Sequence, residues 1–377
     1  METKHYEMLF KKIDNYFLSH SVGCMPIAIT DEINTFYDTW GRVASNAWPD
    51  WLTYIERFKR EIATLLHAEP EGFCPQVNVS SALCKIIMSL EKIIKNKKIV
   101  MTSLDFPSAV FSITQSKPHS SEIVLISDHD KIITLADWEK QLTPDVAVAF
   151  ISHVFYENNL QQNIKDIVNL CKERGIISII DIAQSAGITD IPLKTIQPDF
   201  VVGSCIKWLC GGPGAGFLYV NPKRVIECTP KDVGWFSHKH PFEFNYENFE
   251  YAENAMRYFG GTPSVLPFIN AYTSIKVLNQ IGIHNIIRHN RDLINQFIDG
   301  FKYKNKIFRY AHRESDFAGT ISIEINNAPD LVNTLKENRI AVDARDRYLR
   351  LSPHLYTTPE EVSFAYEILN SVIHRPQ

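Results

Sequence analysis

One lysine of this chain follows an apolar run and stands directly before a glycine-rich turn. It is Lys207, within the stretch SCIKWLCGGPGAGFLYV that covers residues 204–220. Most lysines stay in water, because the burial of an ammonium group costs free energy. A lysine placed against the core is therefore either a structural ion-pair partner or a nucleophile whose surroundings favour the neutral amine.

A carboxylate ends a second apolar run. Asp181 closes IISIID at residues 176–181, and another run, DFVVGS at 199–204, ends just before Lys207. If both runs are parallel strands, the acid and the lysine lie at the same ligand-binding edge of one sheet. Such a pair suits pyridoxal phosphate, since the amine can form an imine with the cofactor aldehyde and the carboxylate can keep the ring nitrogen protonated. Position alone leaves open a structural ion pair between Lys207 and Asp181.

Short β-branched runs alternate with helical stretches through the middle of the chain. One helical stretch is NIKDIVNLCKERG at 163–175, whose last glycine suits a helix C-cap. Continuous apolar strands that alternate with helices indicate an α/β fold, with a mainly parallel central sheet and helices on both faces. The predicted strands are 97–103, 122–127, 146–152, 176–181, 199–204 and 215–220.

The chain divides into three parts by pattern. Residues 1–60 form a Trp- and Tyr-rich N-terminal segment, residues 61–275 a large cofactor-binding domain, and residues 276–377 a smaller α+β C-terminal domain. We expect one long helix, over about 266–302, to lead into the small domain. The other elements predicted there are a strand at 319–325, a helix at 330–338 and a strand at 348–353.

Composition narrows the class of protein. The 377 residues are 45% hydrophobic with a net charge of −4, so the chain has no basic bias toward nucleic acid. No apolar run approaches the ~20 residues of a membrane span, and the N-terminus lacks the apolar region of a signal peptide. The seven cysteines are scattered without a CxxC pair, which is typical of reduced thiols and not of a zinc site. We expect a cytoplasmic protein with no nucleic-acid, membrane or metal partner.

Several motifs, in order along the chain, resemble those of fold-type I pyridoxal-phosphate enzymes of the aminotransferase class V family, close to its kynureninase-like branch. DIAQ at 181–184 resembles the family's Asp-x-Ala-Gln/His strand end, and residues 204–220 match its lysine loop. YFLSHSVGCMP at 16–26 resembles the kynureninase opening. The resemblance covers essentially the whole chain and implies the fold and the cofactor pyridoxal 5'-phosphate. Its other motifs are DFPS (105–108), GWF (234–236), GGTP (260–263) and LRLSPHLYTT (349–358).

The resemblance implies roles around the cofactor. Lys207 would carry the imine, and Asp181 would pair with the ring nitrogen. Gln184 would hydrogen-bond the phenolic oxygen, and Phe106 would stack on the ring, although a core aromatic is the simpler reading of Phe106 alone. The candidate phosphate ligands are Ser80, Ser81 and Ser204.

Two of these serines precede an apolar helical run. The free N–H groups of a helix start suit a phosphate, so Ser80 and Ser81 are candidates for that contact. The commoner role of such residues is simply to cap the helix.

The resemblance also implies contacts to a substrate and a second subunit. Arg350 would bind the α-carboxylate of an amino acid, because a planar guanidinium can make two parallel hydrogen bonds to a carboxylate. The alternative for Arg350 is a surface ion pair. Trp235 would line the substrate pocket or lie in the core. Thr262 would reach the phosphate from the neighbouring subunit of a homodimer whose active sites are shared.

Departures from kynureninases bear on the reaction. Kynureninases have tyrosine, histidine and aspartate where this chain has Ile206, Gln184 and Ala109. No cysteine follows Cys228, which argues against cysteine desulfurase chemistry. We expect class V aminotransferase chemistry at the α- or β-carbon of a small L-amino acid. The alternatives are a β-lyase for C–C or C–S bonds, a kynureninase-like hydrolase, an epimerase, and a non-catalytic scaffold or sensor with this fold.

Overall fold

A computed structural model of the chain describes residues 5–308 and 317–373. Its strands form one sheet of seven strands and one sheet of three. The strands of the large sheet are β1 (Phe73–Gln76), β2 (Lys98–Thr102), β3 (Glu122–Ile126), β4 (Val146–Ser152), β5 (Ile177–Asp181), β6 (Phe200–Ser204) and β7 (Gly216–Val220). Those of the small sheet are β8 (Ile321–Glu324), β9 (Asp343–Arg345) and β10 (Tyr348–Leu351).

Helices connect and cover these strands. In the first half of the chain they are α1 (Ile29–Val43), α2 (Trp48–Leu65), α3 (Val79–Ser89), α4 (Glu91–Ile94), α5 (Pro107–Ser116), α6 (Leu135–Gln141) and α7 (Ile164–Glu173). They continue with α8 (Leu193–Ile196), α9 (Leu266–Ile281), α10 (Ile283–Gly300), α11 (Ala328–Glu337) and α12 (Pro359–Val372). No helix of the described residues is both long and apolar enough to span a membrane.

The central sheet is mainly parallel, as predicted. The strand order is β1-β7-β6-β5-β4-β2-β3, and β7 runs antiparallel to both of its neighbours, β1 and β6. All seven residues of β4 are buried. Ala149 and Ile151 pack into one hydrophobic cluster, whereas Val148 and Phe150 pack into another. Because successive side chains of a strand point to opposite faces, both faces of the sheet are covered, which explains the continuous apolar runs.

The single long helix predicted over about 266–302 is wrong, because α9 and α10 are separate helices. Gly282 lies between them with φ +86, a left-handed conformation that favours glycine. Its N–H donates to the carbonyl of Leu278 at 2.9 Å and closes α9. The glycine therefore ends one helix, as a C-cap glycine does, and the chain turns into the next.

The small sheet is antiparallel, with the order β8-β10-β9. Its hydrophobic cluster includes Phe17 of the N-terminal segment. The backbone of Phe17 donates to Ala341 and accepts from Ser352, so this segment lies against the small sheet. Further on, α2 packs along α9. The division into residues 1–60, 61–275 and 276–377 stays a prediction.

Candidate active site

Lys207 lies just beyond the carboxyl end of β6 and faces a cavity of about 210 Å³. Burial lowers the pKa of Lys207, the nearby charge of Asp181 opposes that shift, and the charge of Arg350 adds to it. Its Nζ makes no hydrogen bond to any residue that the structure describes and lies 5.9 Å from the ring centroid of Phe106. The amine is therefore available to a ligand in the cavity.

Asp181 is the last residue of β5 and lines the same cavity. One carboxylate oxygen, Oδ1, accepts the backbone N–H of Ala183 at 2.8 Å. Burial raises the pKa of Asp181, while that hydrogen bond and the charge of Lys207 lower it. The adjacent parallel strands β5 and β6 thus bring the acid and the lysine to one sheet edge, as the strand-end rule predicts.

Hydroxyl groups and the start of α3 form one wall of the cavity. Ser80 and Ser204 line it, and so does Ser108, which the sequence reasoning missed although it lies in the DFPS motif. The hydroxyls of Ser80 and Ser108 are 2.7 Å apart. Asn78 is the N-cap of α3 and accepts the backbone N–H of Ser81 at 2.8 Å. Ser81 does not line the cavity. The N-cap of α3 is Asn78, and not Ser80 or Ser81 as the sequence had suggested.

An aromatic pair forms another part of the wall. Phe106 is 48% exposed, so it is not the core aromatic of the simpler reading. Its ring packs edge-on to Tyr156, with ring centroids 5.1 Å apart. Gln184 and Ala109 also line the cavity. Tyr156 was not identified from the sequence, because nothing in its local pattern distinguishes it from a buried loop aromatic.

Arg350 lies in β10 and is 4% exposed, so it is not a surface residue. Its Nη1 donates to the backbone carbonyl of Tyr156, which ties it to the cavity wall. Its other side-chain contact is a two-point ion pair with Asp343, at 2.9 Å from Nε to Oδ1 and 2.6 Å from Nη2 to Oδ2. Asp343 was missed at the sequence level.

Besides Ser81, Trp235 and Thr262 also lie outside the wall of the Lys207 cavity in their own chain. Trp235 packs against Trp48, Phe242 and Phe244, with ring centroids 5.4–5.6 Å apart. Thr262 lines a different cavity, of about 280 Å³, next to Trp48. The part of the chain that the structure describes holds no group of side chains that could bind a metal ion.

The residues at the cavity fit pyridoxal phosphate. The Lys207 amine and one oxygen of Asp181 have no hydrogen-bond partner among residues 5–308 and 317–373, although both groups are largely desolvated. Desolvated ionisable groups that lack protein partners are costly unless a ligand engages them. The hydroxyl wall at the start of α3 supplies donors for a phosphate. Lys207, Asp181, Phe106 and Gln184 would surround the ring, with Ser80, Ser108 and Ser204 toward the phosphate.

Comparison with known proteins agrees with this chemistry. The profile of the Aminotransferase class-V family matches residues 16–363. An uncharacterized aminotransferase of Bacillus subtilis (strain 168) is 28% identical over 378 residues, covering 99% of both chains. A kynureninase of Geobacillus thermodenitrificans is 25% identical over 382 residues, covering 96% of this chain and 89% of the relative.

Solved structures share the fold. The apo cysteine desulfurase of Thermococcus onnurineus NA1 superposes with a TM-score of 0.86 at 20% identity, covering 99% of each chain. The cystine C–S lyase C-DES, in complex with its product cysteine persulfide, superposes with a TM-score of 0.85 at 17% identity, covering 95% of this chain and 97% of the lyase. The protein belongs to the aminotransferase class V family of fold-type I enzymes, and its cofactor is pyridoxal 5'-phosphate.

Proposed function

We propose that this pyridoxal-phosphate enzyme acts at the α- or β-carbon of a small L-amino acid, by transamination in the first instance. The observation that carries the proposal is the shared cavity of Lys207 and Asp181, whose amine and carboxylate oxygen have no partner among the described residues. A scaffold that catalyses no reaction would not need a desolvated amine and a desolvated carboxylate that are both accessible to a ligand. The further presence of Arg350 beside this cavity supports an amino acid as the substrate.

Each residue of the site has a role in this proposal. The bound cofactor supplies an electron sink for the electron pair left at the substrate α-carbon. Lys207 holds the cofactor and then moves a proton through its Nζ, and burial lowers the pKa of this amine. Asp181 keeps a negative charge at the ring nitrogen. Arg350 binds the α-carboxylate, which orients the amino acid toward Lys207.

Hydrolysis of a kynurenine-like substrate and β-elimination are the second candidate functions. They are supported by the kynureninase relatives, one of which matches 96% of this chain. Against kynurenine hydrolysis, Ile206, Gln184 and Ala109 stand where kynureninases carry polar or ionisable groups, and Gln184 and Ala109 line the cavity. We therefore place these reactions after transamination.

Cysteine desulfurase chemistry is not supported by the thiols of this chain. That reaction needs a reactive cysteine, which is an exposed thiol with a lowered pKa. Six of the seven cysteines are buried, and Cys84 is partly buried. Burial raises the pKa of Cys228, the last cysteine in the sequence, and the hydrogen bond to Tyr258 and nearby arginines only partly oppose the shift.

We further propose that the enzyme is a cytoplasmic homodimer with shared active sites. Thr262 lies away from the Lys207 cavity in its own chain, so a contact to the cofactor phosphate would have to come from a second subunit. Trp235, in the neighbouring aromatic cluster, would then line the substrate pocket of the partner. Two-fold symmetry would complete both sites at once.

Reaction products test the proposal. The purified holoenzyme is mixed with each of the common L-amino acids and with L-kynurenine, while the absorbance of the cofactor is recorded. Transamination predicts one equivalent of 2-oxo acid per site without added acceptor. Elimination predicts continuous release of ammonia and a 2-oxo acid, and hydrolysis predicts anthranilate. No spectral shift with any amino acid, together with no product, would contradict an enzyme of this class and favour the scaffold.

Arg350 variants test the substrate contact. Arg350→Ala should weaken amino-acid binding about 30- to 1000-fold, at ~1.4 kcal/mol per decade, while cofactor retention stays almost unchanged. Arg350→Lys should recover little, because a point charge cannot reproduce the planar fork. Equal affinity of Arg350→Ala and the wild type would place the carboxylate site elsewhere.

A further inference from the structure

The guanidinium of Arg350 already has a fixed partner on one edge. Asp343 in β9 is its direct cross-strand neighbour. Nε and Nη2 donate to the two oxygens of Asp343, and Nη1 donates to the carbonyl of Tyr156. A guanidinium has five N–H donors, so these three hydrogen bonds leave one N–H on Nη1 and one on Nη2. A ligand carboxylate can therefore take at most two hydrogen bonds from Arg350 while Asp343 stays in place.

Asp343 is in turn held by a buried histidine of the N-terminal segment. His20 is 3% exposed, and its Nε2 lies 2.9 Å from Asp343 Oδ1. Its Nδ1 lies 2.6 Å from the hydroxyl of Ser352, which lies 2.7 Å from the hydroxyl of Thr320. A carboxylate only accepts, so Nε2 carries the proton and Nδ1 accepts from Ser352. Thr320 then donates to Ser352, and the direction of every hydrogen bond in the chain is fixed.

This chain of hydrogen bonds contains one negative group, Asp343, which pairs with the positive charge of Arg350. Burial lowers the pKa of His20 to about 4, although the hydrogen bond to Asp343 opposes the shift, so the imidazole is neutral at neutral pH. Burial raises the pKa of Asp343, but hydrogen bonds from His20 and Arg350 outweigh it and hold that pKa well below its usual range. Arg350 and Asp343 thus form a desolvated ion pair, whose geometry is stable only while both partners keep their hydrogen bonds.

We propose that Asp343 and His20 are positioning residues that hold the guanidinium of Arg350 so that its remaining Nη1 and Nη2 N–H groups bind the substrate's α-carboxylate. The inference rests on the proposed function, in which Arg350 makes that contact. Without Asp343 the guanidinium could rotate about its side-chain bonds, and without the His20 donor the Asp343 carboxylate would lose its orientation. Both changes would weaken the binding of a ligand that has a carboxylate and leave the binding of a ligand without one unchanged.

Matched variants separate positioning from a purely structural role. His20→Gln keeps an amide N–H that can donate to Asp343, whereas His20→Leu removes the donor. Asp343→Asn places an N–H against a donor of Arg350 or His20. The control is Glu324→Gln, which removes the carboxylate partner of Arg347 at 2.9 Å on the same small sheet, where both side chains are 43% exposed. Holoenzymes of the wild type, these variants and Arg350→Ala are titrated with L-alanine and with ethylamine, and the cofactor absorbance gives each Kd.

The expected result is selective for the carboxylate. His20→Leu and Asp343→Asn should raise the Kd for L-alanine about tenfold or more and leave the Kd for ethylamine unchanged. His20→Gln should stay close to the wild type, and Glu324→Gln should not differ from it. Urea unfolding of each holoenzyme checks that the compared proteins are folded. If Asp343→Asn does not fold, the pair His20→Gln and His20→Leu decides alone.

Three different results would overturn the inference, and each points to a different cause. If His20→Leu and Asp343→Asn bind L-alanine as the wild type does while Arg350→Ala binds it weakly, the positioning role is wrong and the carboxylate contact stands. If Arg350→Ala also binds L-alanine normally, the proposed contact fails and the positioning role fails with it. Parallel losses for L-alanine and ethylamine, or equal behaviour of the two His20 variants, would show a merely structural role.

Discussion

Lys207 and Asp181 each oppose the effect that burial has on the pKa of the other. Burial lowers the pKa of the Lys207 amine and raises the pKa of the Asp181 carboxyl, and the charge of each residue opposes the shift of the other. Asp181 ends β5, Lys207 lies just beyond the end of the adjacent parallel strand β6, and both groups face one cavity. Removing either group would remove the charge that opposes the effect of burial on the pKa of the other. The pair therefore behaves as a unit toward any ligand in the cavity.

Lys207 is predicted to be the lysine that holds the cofactor. Borohydride reduction of the holoenzyme, followed by peptide mapping, should place the label on the peptide that contains Lys207. Lys207→Ala should lose this label and should lose turnover by many orders of magnitude, because cofactor attachment and proton transfer fail together. Lys223→Ala, at an exposed position, serves as the control and should keep both. Label on another lysine would refute the assignment.

Asp181→Ala is predicted to weaken the electron sink. The variant would leave the ring nitrogen without its counter-charge, at a cost on the order of 3–5 kcal/mol. Turnover should fall, and the absorbance of the bound cofactor should change its pH dependence. Asp190→Ala removes a carboxylate from an ion pair with His67 whose side chains are 49% and 36% exposed, and it should leave both measurements unchanged. Wild-type turnover in Asp181→Ala would contradict the role.

The strands of the central sheet and the meeting of Asp181 with Lys207 at one edge follow from local sequence. An apolar run of four to seven residues with β-branched side chains has few ways to be buried except as a central strand. Strand ends then meet at one edge, which brings Asp181 and Lys207 together without further information. All six predicted strands of the central sheet are present at nearly the predicted bounds.

The environment of Arg350 depends on contacts that local sequence does not encode. Asp343 meets Arg350 through the pairing of β9 with β10, which a seven-residue spacing alone does not fix. His20 reaches Asp343 across 323 residues of sequence. Thr262 and Trp235 could be identified by resemblance, but their distance from Lys207 in one chain follows from the tertiary fold. The pairing of strands that are distant in sequence, and the side-chain contacts which that pairing creates, could therefore not be predicted from the sequence pattern.

Gly23 is predicted to be required because the Lys207 segment packs against its backbone. Its N–H donates to the carbonyl of Ile206 at 2.8 Å. A Cβ at Gly23 would lie 2.3 Å from the backbone oxygen of Lys207 and 2.6 Å from Cys210 Sγ. Gly23→Ala should therefore displace this segment, destabilise the protein by roughly 1–3 kcal/mol and weaken cofactor binding.

The matched control for this change is Gly41→Ala. Gly41 lies within α1, and a Cβ there would meet no atom within 4 Å. That variant should be stabilised by roughly 0.5–1 kcal/mol through helix propensity. Urea unfolding and a cofactor titration measure both variants. If Gly23→Ala and Gly41→Ala have the same free energy of unfolding and the same affinity for the cofactor, the close packing of the Lys207 segment against Gly23 does not contribute to stability or cofactor binding.

Thr262 is predicted to act across a subunit interface. Lys207→Ala and Thr262→Asp, each inactive or nearly so, are mixed, unfolded and refolded together. A mixed dimer with shared sites would contain one site with wild-type Lys207 and wild-type Thr262, so random pairing should restore about a quarter of the wild-type activity. The control mixture of Lys207→Ala with Asp181→Ala should restore none, because both residues line the cavity of one chain. No recovery in the first mixture, or a monomer by sedimentation, would contradict shared sites.

Buried histidines predict a stability that falls with acid. His354 is fully buried, and its Nε2 donates to the carbonyl of Trp208 at 2.9 Å. Its Nδ1 has no partner among the described residues. Burial lowers the pKa of His354 to about 4, and the hydrogen bond to Trp208 only partly opposes the shift. Burial also lowers the pKa of His20 to about 4 and of His153 to about 3.

The direction of this pH dependence follows from which state, folded or unfolded, binds more protons. The unfolded chain binds a proton at each histidine near pH ~6.5, whereas the folded protein binds one at His354 only near pH 4. Between these values the unfolded state holds more protons, so the free energy of unfolding falls as the pH falls. For His354 the loss should reach about 3 kcal/mol once the pH is below the folded pKa of about 4, because each pH unit between ~6.5 and that value lowers the free energy of unfolding by up to ~1.36 kcal/mol.

His354→Gln should flatten this dependence. Glutamine keeps an N–H for the carbonyl of Trp208 but does not titrate, so the slope between about pH 6 and pH 4.5 should decrease by up to one proton, or ~1.4 kcal/mol per pH unit. His119→Gln, at an exposed position, tests whether the loss of any histidine would do the same and should retain the wild-type slope. Urea unfolding across this pH range gives the slopes. A His354→Gln slope equal to that of the wild type would mean that His354 does not stay neutral in the folded protein.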